Sequence, residues 1–455
     1  MPSVSVKLYS VFFKTLLKHK LLHTSLTSKD GSWPAAVVLG QSHRVPADAS
    51  FVDGVATKDI NLDPSLTLRI FLPESALPRE PGTPGNTGLF GCLQNEAEGV
   101  EGNGNFDRRA SHDGSKKSFR LAEHRRNSWG GEHGRRLLAK KEYARLNVCN
   151  SFSEEESVLV QDGANPYDAH DDRGNYQGYH PDFIAENNKR LPIIIQFHGG
   201  GFVTGSKDSA SNDCFCRRMA KLCDAIVIAV GYRLAPEHKY PAAFDDGFDA
   251  LSWIANQANL AECNRSLGKS LGGKADSQHR KSDKELIAAF GGSAVVEPWI
   301  AAHGDPSRCV LLGVSSGGNI ADFVARKAVQ AGRLLEPIKI VAQVLMYPFF
   351  VGSVPTQSEI KLANSYFYDK ATCILAWKLL FPDGQFSLDH PIANPLVPAL
   401  RKASLDAPVL EYKDAVHEFA TLDFLIKSRQ AESCAEDITI WIKKYVSQKG
   451  HEFSY

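Results

Sequence analysis

The sequence of 455 residues has no surplus of either charge, because 52 basic residues balance 52 acidic ones. Proteins that bind nucleic acid through their overall charge are strongly basic, so we expect no nucleic-acid partner. No apolar run approaches the roughly 18 residues that cross a bilayer, so no membrane span is predicted. The 43% of hydrophobic residues suffices for a large core in one or two domains.

The nine cysteines lack the spacing of a metal site or a disulfide framework. Cys214 and Cys216 have no second pair at the distance along the chain that zinc sites use. The pattern predicts free thiols in a reducing compartment, and therefore a cytoplasmic protein without a metal or another cofactor. The nucleus or an organelle is the alternative location.

The N-terminal stretch 1–24 contains neither an acidic residue nor an arginine. Leu8, Phe12, Leu16 and Leu17 lie on one stripe of a helix in this segment. A transit peptide is one interpretation. The lack of arginine favours an amphipathic helix that packs on the fold, within an N-terminal segment formed by residues 1–50.

Two stretches contain few apolar residues. Gly, Asn, Ser, Arg and Glu dominate residues 78–187, for example in the run 101–105. Such a composition buries too little apolar area to compensate for the entropy lost on ordering. We predict a long disordered insertion at 78–187, with solvated arginine clusters, and a shorter polar loop insertion at 262–295.

Short apolar runs outside these stretches indicate the strands of a sheet. Residues 51–77 contain two runs that are typical of an antiparallel pair at the edge of a sheet. The runs without alternation, which indicate parallel strands buried on both faces, are 191–197, 225–230, 309–312 and 338–346. A helix is expected at 244–258. The alternation predicts a doubly wound, mostly parallel α/β sheet over 188–449, which binds ligands at the carboxyl ends of its strands.

The stretch Gly313-Val-Ser-Ser-Gly317 lies between a buried strand and a helix. Gly-x-Ser-x-Gly in this context is the pattern of a nucleophile elbow, which exposes the serine at the N-terminus of the helix. The two glycines are needed because side chains would collide with the neighbours of the tight turn. Ser315 is therefore the candidate nucleophile.

A glycine run follows the strand at 191–197 and ends at the same edge of the sheet. The backbone N–H groups of Gly199, Gly200 and Gly201, together with that of Ser316, could hold the oxyanion of a tetrahedral intermediate. A flexible glycine loop without a catalytic role is the alternative.

A histidine late in the chain is the candidate general base. His417 follows a short last strand that is expected to begin near Asp406, so it lies at the carboxyl edge. His303 precedes the strand of the elbow and is therefore at the opposite edge. A surface histidine in a loop is the alternative interpretation of His417.

Three motifs together resemble those of the hormone-sensitive-lipase group of α/β-hydrolases, and within it the plant carboxylesterases. They are His198-Gly-Gly-Gly-Phe202, Tyr232–His238 followed by Tyr240–Asp246, and Gly313–Ile320. The resemblance implies a serine carboxylesterase that hydrolyses esters of small or medium apolar molecules through an acyl-enzyme. It also implies a lid, formed by residues 1–50 and by an insertion at 357–395 that contains a helix at 368–381.

The chain departs from that family at the acid of the triad. In the family, an aspartate follows the penultimate strand, well before the histidine. None of the nine carboxylates between Ser315 and His417 follows an apolar strand. The segment that should lie between Pro398 and Ala399, with an interior strand and the acid, is missing, and Asp414 is only a weak candidate. We therefore expect weak or no ester hydrolysis, since loss of the acid costs about 10⁴ in turnover.

Two other functions fit the same fold. One is a non-catalytic receptor for a small molecule, because gibberellin receptors resemble esterases that have lost the histidine. Retention of His417 favours an enzyme. The other is an inactive splice isoform in which the long insertion serves as an interaction surface. The oligomeric state is not predicted.

Overall fold

The computed structural model describes the following residues: 11, 15, 18, 19, 44–77, 178–181, 188–270, 296–361, 363, 369–395, 409–413, 415, 417–421 and 428–447. Nearly all of the predicted insertion at 78–187 lies outside these residues. So do positions 271–295 of the polar loop, Asp414, and the predicted apolar stripe at the N-terminus.

Six strands and seven helices form the core of the described part. The strands are β1 (Val55–Asn61), β2 (Thr67–Pro73), β3 (Leu191–Phe197), β4 (Ile226–Gly231), β5 (Gly304–Val314) and β6 (Ile340–Met346). The helices are α1 (Ala210–Cys223), α2 (Ala242–Ser270), α3 (Pro298–His303), α4 (Ser316–Ala331), α5 (Gln357–Lys361), α6 (Lys370–Leu380) and α7 (Arg429–Val446). Short 3₁₀ turns occur at Glu74–Ala76 and Gly332–Leu335.

The strands form one mixed sheet in the order β1-β2-β4-β3-β5-β6. Strand β2 is antiparallel to both neighbours, and the others pair in parallel. The predicted antiparallel pair at the edge and the mostly parallel sheet are thus confirmed. Strand β3 is apolar except for Gln196, whose side-chain amide donates to Asn212 Oδ1 at 2.8 Å and is satisfied inside the core.

Helices cover both faces of the sheet, as the doubly wound pattern predicts. Helices α1 and α7 pack on one face, where Phe215 and Ile438 join a cluster with Val310 of β5. On the other face α2 approaches α4 so closely that a Cβ atom added to Gly247 would lie 2.8 Å from Ile320 Cγ2. Ser315 therefore ends a strand that is held from both sides.

The predicted polar loop at 262–295 is wrong in its first part, because α2 continues to Ser270. Ala261 is buried there, and Arg265 forms an ion pair with Glu262 at 3.2 Å, one helical turn away. The polar composition between 262 and 270 favours a loop, but it is equally compatible with the solvated face of a helix that lacks proline.

The expected last strand is also wrong in the described part. Residues 409–413 form no strand, and Val409 and Leu410 are 93% and 55% exposed. Strand β6, predicted to be buried on both faces, has only Met346 fully buried. A strand needs a neighbour to pair its backbone groups, and β6 is the last strand of the sheet in the described part of the chain.

The helix of the expected lid begins at Lys370 and ends at Leu380, close to the predicted 368–381. The Asp369 carboxylate caps it by accepting a hydrogen bond from the Thr372 N–H at 2.9 Å. Trp377 is fully buried against Phe202 and Phe349, and its indole N–H donates to the Phe349 carbonyl at 3.2 Å. This helix is thus attached to the loops at the carboxyl edge of the sheet. No helix among the described residues is apolar over a length that could cross a membrane.

Candidate active site

The turn after β5 places Ser315 in a strained conformation at the start of α4. Its φ of 51° and ψ of −118° lie in a region that residues with a side chain rarely adopt. Two backbone hydrogen bonds of 2.9 Å hold it there, one from the Ser315 N–H to Met346 and one from the Gly318 N–H to the Ser315 carbonyl. Tight backbone geometry therefore fixes where the serine hydroxyl lies.

The two glycines of the pentapeptide are required by close backbone approaches. A Cβ atom on Gly313 would lie 2.3 Å from the Gly317 carbonyl oxygen. A Cβ atom on Gly317 would lie 2.2 Å from the carbonyl oxygen of Phe197, at the end of β3. The turn thus packs directly against the strand that leads into the glycine loop.

The structure brings His417 to this serine from a loop that is distant in the chain. The Ser315 Oγ and His417 Nε2 atoms are 2.8 Å apart, within the range of a serine–histidine hydrogen bond. Burial lowers the pKa of His417 to about 4. The imidazole is therefore neutral at neutral pH and can accept the proton of the serine. The Tyr347 ring contacts it edge-on, with ring centroids 5.0 Å apart.

The glycine loop after β3 lies beside the serine. Gly200 has a φ of 115° and Gly201 a φ of 62°, and a Cβ atom on Gly200 would lie 2.1 Å from the Thr204 carbonyl oxygen. The loop therefore requires glycine at Gly200. A Cβ atom on Gly199 would lie 3.3 Å from Ser315 Cβ, so the start of the loop contacts the elbow directly.

Side chains without a predicted catalytic role support this loop and the neighbouring end of β4. The Tyr232 hydroxyl donates to the His198 carbonyl at 2.8 Å, and the two rings stack with centroids 4.2 Å apart. Burial lowers the pKa of His198 to about 4, so it is neutral. Nearby, the Asp246 carboxylate accepts from the Arg233 N–H at 2.7 Å and from its guanidinium at 2.6 Å. The Tyr232–Asp246 motif thus braces the end of β4.

Three of the carboxylates between Ser315 and His417 are in other interactions in the described part of the chain. Asp322 pairs with Arg326 at 2.9 Å, and Glu359 pairs with Lys370 at 3.4 Å. Asp389 accepts from the Ser353 hydroxyl at 3.0 Å, and Glu411 is exposed. Asp414, the weak candidate, lies outside the described residues. His303 lies at the opposite edge before β5, where its Nε2 is 3.0 Å from the Tyr179 hydroxyl.

Glu418, which follows His417 directly, was not among the predicted site residues. A Cβ atom on Gly199 would lie 3.1 Å from Glu418 Oε1, so this carboxyl group is at the candidate site. Burial raises its pKa to about 7. The only available signal was an acidic residue next to the candidate base, which a sequence alone does not distinguish from a surface acid.

Comparison with known proteins gives a consistent picture. Residues 194–410 match a family described as having the alpha/beta hydrolase fold. The chain is 49% identical to "Probable carboxylesterase 16" and 50% identical to "Probable carboxylesterase 11" of Arabidopsis thaliana, in alignments that cover all of each chain. It is 33% identical to "3-O-acetylpapaveroxine carboxylesterase CXE2" of Papaver somniferum, which covers 59% of this chain and 75% of that one.

The two full-length alignments are longer than this chain. They extend over 494 and 492 positions, against 455 residues here, so 39 and 37 positions are filled by the relative alone.

Proposed function

Because the chain belongs to the plant carboxylesterase family of α/β-hydrolases, we propose that it hydrolyses carboxylic esters through an acyl-enzyme on Ser315. The observation that carries this proposal is the distance of 2.8 Å between Ser315 Oγ and His417 Nε2. A serine hydroxyl is a weak nucleophile, and an adjacent neutral imidazole is the base that activates it.

In the proposed mechanism, Ser315 Oγ attacks the ester carbonyl carbon while its proton passes to His417 Nε2. The oxyanion that forms is stabilised by the backbone N–H groups of Gly199–Gly201 and Ser316. The intermediate then breaks its bond to the alcohol oxygen, which takes the proton from His417 and departs. Water attacks the acyl-enzyme with His417 again as base, and the carboxylic acid leaves as Ser315 regains its proton.

We propose a small or medium-sized apolar ester as the substrate. Phe202, which follows the glycine loop, is buried among Phe349 and Trp377, so the wall behind the loop is aromatic. No cofactor or nucleic acid enters this mechanism. We also propose a cytoplasmic location, which is supported by the lack of a disulfide among the seven cysteines of the described part.

We further propose that this chain lacks the segment that carries the acid of the family. Three observations support this. No carboxylate between Ser315 and His417 follows an apolar strand, and the two alignments have 39 and 37 positions more than this chain has residues. The sheet also ends at β6 among the described residues. Loss of that acid costs about 10⁴ in turnover in serine hydrolases, so the chain should be a slow esterase.

A fluorophosphonate probe tests the proposed chemistry, because it reacts with activated serines even where turnover is slow. We expect mass spectrometry to locate the label on Ser315, and Ser315→Ala to abolish it. The matched control is Ser252→Ala, which removes a hydroxyl that only bonds to the Phe248 carbonyl within α2. It should leave the labelling rate unchanged.

The same proteins are then assayed with 4-nitrophenyl acetate. Turnover should exceed that of Ser315→Ala by less than about a thousandfold, since the acid is proposed to be absent. A folded chain that is not labelled at Ser315 would contradict an enzyme and favour a receptor. Turnover well above that limit would support the proposed esterase activity but contradict the proposal that the acid of the triad is missing.

A further inference from the structure

The carboxyl group of Glu418 lies in the candidate active centre, next to the loop that is proposed to hold the oxyanion. A Cβ atom placed on Gly199 would lie 3.1 Å from Glu418 Oε1. It would lie 3.3 Å from Ser315 Cβ. Both atoms therefore border the same small space beside the loop. Glycine at position 199 is what leaves room for the carboxyl group at this point.

The backbone holds Glu418 in this place. Its φ is 64°, in the left-handed region. Both the backbone N–H and the hydroxyl of Thr421 donate to the Glu418 carbonyl at 3.0 Å. This turn directs the side chain of Glu418 towards Gly199, while the preceding His417 contacts Ser315. The position of the carboxyl group is thus fixed by the same loop that presents the candidate base.

Nothing in the described part of the chain neutralises this carboxyl group. It has no ion pair or side-chain hydrogen bond there, although the residue keeps part of its surface accessible. The titratable groups around it are His417 on the same loop, His198 after β3, Tyr232 after β4 and Tyr347 after β6. All four are uncharged at neutral pH. Burial without a cationic partner raises the pKa of Glu418 to about 7.

A carboxyl group beside the site that has no partner among the described residues is a charge that a bound substrate would meet. When ionised, it opposes the negative charge that develops on the carbonyl oxygen of a neutral ester. A positive charge on the substrate would pair with it and remove that repulsion. An aromatic ring, which also attracts cations, borders His417 at Tyr347.

We propose that Glu418 is a specificity-determining residue that selects esters carrying a positive charge close to the scissile bond. This rests on the proposed function and refines it: among small or medium-sized esters whose remaining surface is apolar, the same site favours those with a positive charge next to the ester group. The preference depends on pH in a defined direction. Glu418 is mostly neutral below its pKa and ionised above it, so the selectivity for a cation increases as pH rises through about 7.

Two esters of equal shape measure this selectivity. Acetylcholine carries a permanent positive charge, and 3,3-dimethylbutyl acetate is its uncharged isostere. We expect the ratio of their kcat/KM values in the natural chain to increase about tenfold from pH 6 to pH 8. In Glu418→Gln the ratio should be independent of pH, and at pH 8 about tenfold lower than in the natural chain. The uncharged ester should be hydrolysed at pH 8 at least as fast by the variant as by the natural chain.

Glu411→Gln is the matched control, because it removes an exposed carboxylate from the same stretch of chain. It should reproduce the selectivity of the natural chain at both pH values. Equal melting temperatures of the two variants exclude a general loss of structure. A selectivity ratio that does not change in Glu418→Gln overturns the proposal.

A binding measurement separates this proposal from the proposed function. Ser315→Ala cannot form the acyl-enzyme, so the affinity of both intact esters for it can be measured by calorimetry. We expect it to bind acetylcholine about tenfold more tightly than the isostere at pH 8, and the double variant with Glu418→Gln to bind both equally. If the fluorophosphonate probe does not label Ser315 of the folded natural chain while this preference persists, the esterase is refuted and the role of Glu418 stands. Equal binding of both esters by Ser315→Ala overturns the role of Glu418.

Discussion

Insertion of the segment that is proposed to be missing between Pro398 and Ala399 is expected to raise turnover of 4-nitrophenyl acetate by about 10⁴. The segment can be taken from the Arabidopsis relative whose alignment has 39 more positions than this chain has residues. The expected gain equals the loss that follows removal of the acid from a complete triad, because the acid orients the imidazole and stabilises its protonated form. Steady-state kinetics of the purified natural and extended chains provide the measurement.

The control is the same extended chain with its inserted aspartate replaced by asparagine, which keeps the segment but removes the carboxylate. Its turnover should return to that of the natural chain. A companion variant, Asp414→Asn in the natural chain, should change turnover by less than about twofold. A large loss in that variant would identify Asp414 as the working acid and contradict the prediction, as would an extended chain that is folded but no faster.

Gly317→Ala should destabilise the fold by about 4 kcal/mol or more. The new methyl group would lie 2.2 Å from the Phe197 carbonyl oxygen and 2.5 Å from that of His198. Both neighbours are backbone atoms at the end of β3, so they cannot move aside without breaking the pairing of β3 with β4 and β5. Urea unfolding followed by circular dichroism measures the free energy of unfolding.

Gly318→Ala is the control in the next position of the same turn. Its methyl group would lie 3.2 Å from Pro348 Cβ, a contact that a small shift relieves. Both substitutions gain helix propensity, since both residues belong to α4. The difference between the two variants therefore reports the steric clash alone. Equal stabilities of the two would show that the turn does not approach β3 as closely as described.

The positions of the central strands along the chain follow from local chemistry. Leu191–Phe197 is apolar at six of its seven positions, and such a run is stable only where both faces are covered. The turn at Ser315 also depends on local sequence, because its glycines and the helix that follows lie within one short stretch of chain. These features could be predicted from the sequence since each depends on neighbours along the chain.

The two errors in the fold depend on information that is not local. Residues 262–270 continue a helix because α2 already supplies the preceding turns, which a polar composition does not reveal. Val409 and Leu410 have the pattern of a buried strand but are exposed, because a strand forms only beside a partner. The sequence pattern describes the strand and not the presence of its neighbour.

The candidate site shows the same division. Ser315 and His417 could be proposed from motif and order along the chain, and the structure places their side chains 2.8 Å apart. Glu418 could not be found in this way. Its closeness to Gly199 depends on a left-handed turn and on a contact between two distant parts of the chain, neither of which has a signature in the sequence.

At Ser315 the backbone angles that stability favours and the side chain that the proposed reaction needs are in conflict. A φ of 51° with a ψ of −118° suits glycine, and a side chain there costs about 1–3 kcal/mol. Mutations that relax this position should make the protein more stable and remove the proposed nucleophile at the same time. A lineage that had lost the need for the reaction would therefore gain by abandoning this serine. Its contact with His417 is what the proposed chemistry requires, whereas folding alone would favour glycine at this position.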